Sequence, residues 1–120
     1  MEDKKFYFEK LDVYQKALEF ISEVYDLFEI LPYRIQKSIG DNLLRAAMSI
    51  ANNIAEGSGR RGIKEKRHFF EISQGSVFEC VPMLTILHSK QTINEDVFKG
   101  LYNDCHDISK MVGGLVKRFS

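Results

Sequence analysis

The sequence contains no tryptophan, only two prolines and two cysteines, and no surplus of charge: 17 lysines and arginines balance 17 aspartates and glutamates. Each scarcity excludes something. Cys80 and Cys105 lack CxxC spacing, so they form neither a disulfide framework nor a cysteine metal site, and both are expected to be reduced and packed as small hydrophobes. No apolar run approaches the roughly 18 residues of a membrane helix, so no membrane partner is expected. The opening "MEDKKFYFEK" lacks the apolar centre of a secretion signal, which points to the cytoplasm. Charge balance removes any global pull toward nucleic acid. No segment alternates with period two, which excludes a β architecture.

What is present is a chain of 120 residues, 44% hydrophobic and 28% charged. That describes one globular domain, 1–120, able to bury a core without metal or disulfide staples. Leu11, Tyr14, Leu18, Ile21, Tyr25, Phe28 and Leu31 recur at helical spacing, with Asp12 placed to cap the start and Pro32 to end the helix. A second helix is predicted from about Arg34 to Glu56, with Ile35, Ile39, Leu43, Ala46, Ala47, Ile50, Ala51 and Ile54 facing inward. Gly40 inside it costs about 1 kcal/mol relative to alanine. Ala46, Ala47 and Ala51 allow another helix to come close. Gly57 is expected as a left-handed C-cap, with Ser58 and Gly59 completing the turn.

The third helix is predicted from Ile63 to about His88, along Phe69, Ile72, Ser76, Cys80, Met83 and Leu87. Pro82 removes a donor and crowds the carbonyl of Phe78; because the stripe continues beyond it, a kink is expected and not a break. Asn94 should cap a fourth helix from about Glu95 to Arg118, facing inward through Val97, Leu101, Ile108, Val112, Leu115 and Phe119, with Gly113 and Gly114 weakening its last turns. Short joints make successive helices antiparallel neighbours. The expected fold is all-α, an up-down-up-down four-helix bundle.

The stretch "SIANNIAEGSGRRG" is where chemistry would be sought. Its glycines follow a helix and no Gly-Lys-Ser/Thr ending appears, so a phosphate-binding loop is excluded and a helix end with a turn remains. Glu65 and His68 match a single Glu-x-x-His ligand pair of di-iron bundles, but such bundles need two pairs and further glutamates. His88 and His106 have no matching partners, so neither catalytic residues nor a metal or other cofactor is indicated. The polar residues Arg45, Asn53, Glu56 and Glu79 fall on inner or near-inner faces, with Ser76 one turn before Glu79. Burying such groups is costly unless they pair. An Arg45–Glu79 or Arg45–Glu56 ion pair is therefore expected, with Asn53 satisfying the remaining donors.

Charge is unevenly distributed along the chain. Residues 9–29 hold six acids and two bases, whereas residues 60–68 hold five bases and one acid. The candidate binding surface is accordingly Arg60, Arg61, Lys64, Lys66 and Arg67.

These residues carry a resemblance. "LLRAAMSIANNIAEGSGR", through Arg45, Ala46, Ser49, Asn53, Ile54, Ala55, Glu56, Gly57 and Gly59, is similar to the signature of the bacterial 23S ribosomal RNA intervening-sequence proteins. "FFEISQGSVFE", through Phe69 or Phe70, Gly75, Ser76 and Glu79, and the opening "FEKLDVYQKALEF" add to it. A related branch is the accessory variability determinant of diversity-generating retroelements. Two departures stand out. Ala51 replaces a common proline, which should leave the second helix straighter, and Pro82 falls where none is expected.

The resemblance implies a non-enzymatic helical bundle, some relatives of which form five-fold rings. In the retroelement branch the ring is basic and engages a reverse transcriptase and nucleic acid; this neutral chain does not inherit that activity whole. The expected function is that of an interaction protein: a homo-oligomer with a basic surface for RNA or a nucleic-acid-associated protein. The rival expectation is a metal-binding or enzymatic bundle using Glu56, Glu79 and the histidines.

Overall fold

The computed structural model describes residues 4–120; residues 1–3 of the charged opening stretch lie outside the described residues. A 3-10 turn (Tyr7–Lys10) leads into α1 (Asp12–Ile30). After Pro32, the three-residue α2 (Tyr33–Ile35) passes through a π turn (Gln36–Gly40) into α3 (Asp41–Gly59). Then follow α4 (Ile63–Ser89) and α5 (Glu95–Arg118). No strand occurs among the described residues. The long helices pack as an antiparallel four-helix bundle: α4 lies against α3 and α5, α1 lies against α3, and a sparser α1–α5 seam closes the bundle.

One core runs through the bundle. Phe20 and Val24 of α1, Leu43, Ile50 and Ile54 of α3, Phe70, Val77 and Leu84 of α4, and Ile108 and Val112 of α5 are its largest members. The second helix faces inward as its spacing predicts, and so does the fourth except at Val97 in its first turn, which is exposed. The first does not. Its buried residues are Val13, Ala17, Phe20, Val24 and Leu27, while Leu18 and Tyr25, expected inside, are exposed. Both stripes are apolar and lie next to each other on the helix. The set containing Ala17 and Val24 turns inward, where a small side chain lets neighbouring helices approach. On α4 the inward aromatic is likewise Phe70, with Phe69 at the rim and Ile72 exposed.

The ends of the helices depart from expectation in instructive ways. Asp12 is the first helical residue and not a cap; Leu11 occupies the N-cap without a side-chain bond. Asn94 does cap α5, its Oδ1 accepting from the Val97 amide at 2.9 Å. Helix α4 runs unbroken through Pro82. Phe78 and Pro82 are both exposed, so the missing donor and the crowded carbonyl fall on the wet side.

Gly57 is not a left-handed cap. Helix α3 continues to Gly59 and no glycine has positive φ. Gly57 is needed because α4 is too close: a Cβ there would stand 2.7 and 2.9 Å from the Phe70 ring. The left-handed cap sits elsewhere, at Gln91 (φ 62°), where the Thr92 amide donates to the Leu87 carbonyl and the Gln91 amide to the His88 carbonyl, both at 2.9 Å. That pairing is the Schellman arrangement that glycine usually completes.

Paired predictions follow from these two positions. Gly57→Ala would gain about 1 kcal/mol of helix propensity but must displace a buried phenyl ring, an overpacking cost of about 1–3 kcal/mol. The net outcome expected is a lower urea midpoint. Gln91→Gly should add up to about 1 kcal/mol of stability and so raise the midpoint, because left-handed backbone costs a residue with a side chain roughly that much. Opposite signs at either site would refute these assignments.

Candidate functional site

Helices α3 and α4 meet through small residues, and their polar groups interlock there. Ser73 is wholly buried and donates to the Ile50 carbonyl at 2.8 Å. Ser76 donates to the Ile72 carbonyl of its own helix at 3.1 Å, so the 2.8 Å contact between Ser49 and Ser76 carries the Ser49 proton. Asn53 Nδ2 in turn donates to the Ser49 hydroxyl at 3.0 Å and to the Ser49 carbonyl at 2.9 Å. The result is a directed chain of hydrogen bonds from Asn53 to Ser49 to Ser76 to Ile72. No buried side-chain polar atom among the described residues lacks a partner.

Neither expected ion pair forms. Arg45, Glu56 and Glu79 are all exposed. Arg45 donates to Asn42 at 3.3 Å, and Glu56 pairs with Arg60 at 2.6 Å, one turn on. Hydration outside outweighs a pair inside, because serine and asparagine alone saturate the interior polar groups. Arg45 and Glu79 nevertheless share an open groove of about 480 Å³ with Ser49 and Pro82. A second groove, about 390 Å³, runs past Arg45, Ser49 and Asn53. Gly75 is exposed, with open space where a Cβ would stand, so its presence has no steric explanation.

The five candidate cations divide into two groups. Arg60 lies over the Phe69 ring at 4.6 Å besides pairing with Glu56. Lys66 donates to the Ser58 carbonyl at 3.1 Å, in the last turn of α3, and Arg67 donates to the Phe119 carbonyl at 3.2 Å, just past α5. Cations at helix C-termini are well placed against the helix dipole. Arg61 and Lys64 are exposed and make no bond to another described residue. Antiparallel packing adds two cations that a reading along the chain misses. Lys117 and Arg118 end α5 beside the start of α4, and Arg118 lines a cavity of about 330 Å³ with Lys66, Phe70 and Phe119. Summing charge over each end of the predicted bundle would have found them.

On the other side of the molecule Lys16 bridges α1 and α5 by pairing with Asp104 at 3.2 Å, which holds the Lys16 ammonium above its usual range. Glu23 is left beside Asp104 without a cation of its own. Lost hydration, a shared hydrogen bond and repulsion from Asp104 hold its carboxyl above the ordinary range. Of the histidines, His88 meets Glu95 at 2.8 Å and stacks on Phe98, while His68 and His106 are exposed. Among the described residues no group of three or more His, Cys, Asp or Glu is arranged to hold a metal ion. No described helix is long and apolar enough to cross a membrane.

The sequence model of the 23S rRNA-intervening sequence protein family matches residues 9–114, from before α1 to the penultimate turn of α5. The chain belongs to that family. A solved structure from Bacteroides thetaiotaomicron, a protein of unknown function from the S23 ribosomal protein family, shares its fold at a TM-score of 0.79. The identity is 21%, over 88% of this chain and 98% of that one. No curated protein matches the chain. In this member of the family, then, the signature "SIANNIAEG" divides in two. Ile50 and Ile54 are buried in the core and Gly57 lies against Phe70 of α4, while Ser49 and Asn53 form the hydrogen-bonded edge of the α3–α4 contact.

The division has a measurable consequence. Ser73→Ala should lower stability by about 1 kcal/mol because a buried hydrogen bond disappears. Arg45→Ala and Glu79→Ala should each stay within about 0.5 kcal/mol of the native chain. Urea unfolding of the three variants checks this, and a large destabilisation at Arg45 or Glu79 would restore the discarded ion pair.

Proposed function

We propose that the chain is a non-enzymatic interaction protein that self-associates head to tail and uses its basic end to contact RNA. The observation that carries this reading is the separation of charge between two ends of one neutral molecule. Arg60, Arg61, Lys64, Lys66 and Arg67 are joined by Lys117 and Arg118 where α4 starts and α5 stops. Glu23, Asp26 and Asp96 lie toward the other end, where α1 stops and α5 starts. Unlike ends attract, and contacts between two different patches propagate into closed rings or open filaments. Repeating the basic end through such an assembly would cluster cations left outside the interface, which supports binding to backbone phosphates despite a neutral monomer. Without tryptophan, and with no basic motif rich in aromatics, the surface is suited to backbone charge more than to base sequence.

The solution mass is the primary test. Light scattering should return a multiple of the 13.9 kDa chain mass; a monomer at the highest concentration reached would overturn self-association. For RNA, affinity measured against salt should fall steeply for the native chain. It should fall less steeply after Arg60, Arg61, Lys64, Lys66 and Arg67 are changed to glutamine, since every phosphate no longer neutralised takes about 0.7 off the logarithmic slope on a single strand. An unchanged affinity would remove that segment from the binding surface.

A further inference from the structure

The α1–α5 seam, the sparsest of the bundle, holds an open groove of about 420 Å³. Its buried lining is Leu27 and Leu101; Ile30, 80% exposed, and Val97 stand open above them. Gly100 lines the same groove, with open space where a Cβ would be. The charged residues of the lining are Glu23, Asp26 and Asp96, all of one sign. An apolar slot with an acidic rim suits an apolar side chain flanked by cations.

The chain presents such a feature itself. Ile63 opens α4 with 62% of its surface exposed, between Arg61 and Lys64, the two of the five candidate cations with no bond to another described residue. This tip lies at the end of the bundle remote from the groove, since α3 ends and α4 begins opposite the end where α1 stops and α5 starts. One copy therefore cannot close the contact on itself.

We propose that the Ile63 tip of one copy seats in the α1–α5 groove of a second, with Arg61 and Lys64 reaching the acidic rim. The proposal rests on the self-association reading above and specifies its two surfaces. Glu23 fits it: Asp104 already holds Lys16, so an incoming cation relieves the carboxylate crowding at the rim. Tip and groove are different patches, so each copy engages two neighbours, one through each surface, and the interface is heterologous.

Light scattering on two charge-reversed chains tests it. A tip variant carries Arg61→Glu and Lys64→Glu; a groove variant carries Asp26→Lys and Asp96→Lys. Each alone should associate at least tenfold more weakly. An equimolar mixture should recover association, with complexes of at least twice the 13.9 kDa chain mass, because the native tip meets the native groove and the reversed tip meets the reversed groove. Helical circular dichroism checks the fold; should a reversed chain not fold, Ile63→Ser and Ile30→Ser, both at exposed positions, carry the same comparison. Variants that assemble like the native chain would overturn the tip-and-groove pairing and leave self-association standing. Variants that fall apart without complementing each other would overturn it too, as would a rise in mass only on adding RNA. A monomeric native chain would overturn both readings.

Discussion

The close approach of α3 to α4 governs the rest of the molecule. Gly57 lies against the Phe70 ring, Ser73 reaches the Ile50 carbonyl and Ser49 meets Ser76, with Ala46 and Gly57 keeping the α3 side of the contact small. Small side chains bring the backbones near enough for a serine hydroxyl to reach across to a carbonyl. The interior can then satisfy its few polar groups with serines and one asparagine, without importing charge. Arg45, Glu56 and Glu79 stay in water, where their hydration costs nothing to keep. The same approach seats Phe70 over Gly57 and so sets the angle at which the chain turns from α3 into α4.

That turn determines what the molecule presents at one end. Lys66 and Arg67 are folded back onto the carbonyl ends of α3 and α5, and Arg60 onto Glu56 and Phe69. Ile63, Arg61 and Lys64 are left projecting. At the other end α1 meets α5 loosely, because α1 packs mainly against α3. An apolar slot with acids around it remains there. Polarity of this kind, in a chain with no net charge, is a property of the fold and not of composition.

Membership of the 23S rRNA-intervening sequence protein family accords with this division of labour. Part of its signature, Ala46, Ile54 and Gly57, is buried packing, while Arg45, Glu56 and Gly59 of the same stretch are exposed. The buried part of such a signature reports the fold, whereas function resides in the surface laid over it.

The number of helices, most of their boundaries and the antiparallel order were legible in sequence, since apolar periodicity, Pro32, Asn94 and the short joints act locally. Helix α5 runs over Glu95–Arg118, where spacing and capping place it. The inward face of α1 was not legible. Two adjacent apolar stripes have equal periodicity, and only the fit of Ala17 and Val24 against neighbouring helices chooses between them. The roles of Gly57 and Gln91 were likewise hidden, because a glycine needed for a close approach reads the same as one needed for a left-handed turn. Local sequence therefore determined the elements, their order and the segregation of charge along the chain. Tertiary packing alone decided which polar residues are buried, which cations remain free and which charges share an end, because each of these depends on distances between residues far apart in sequence.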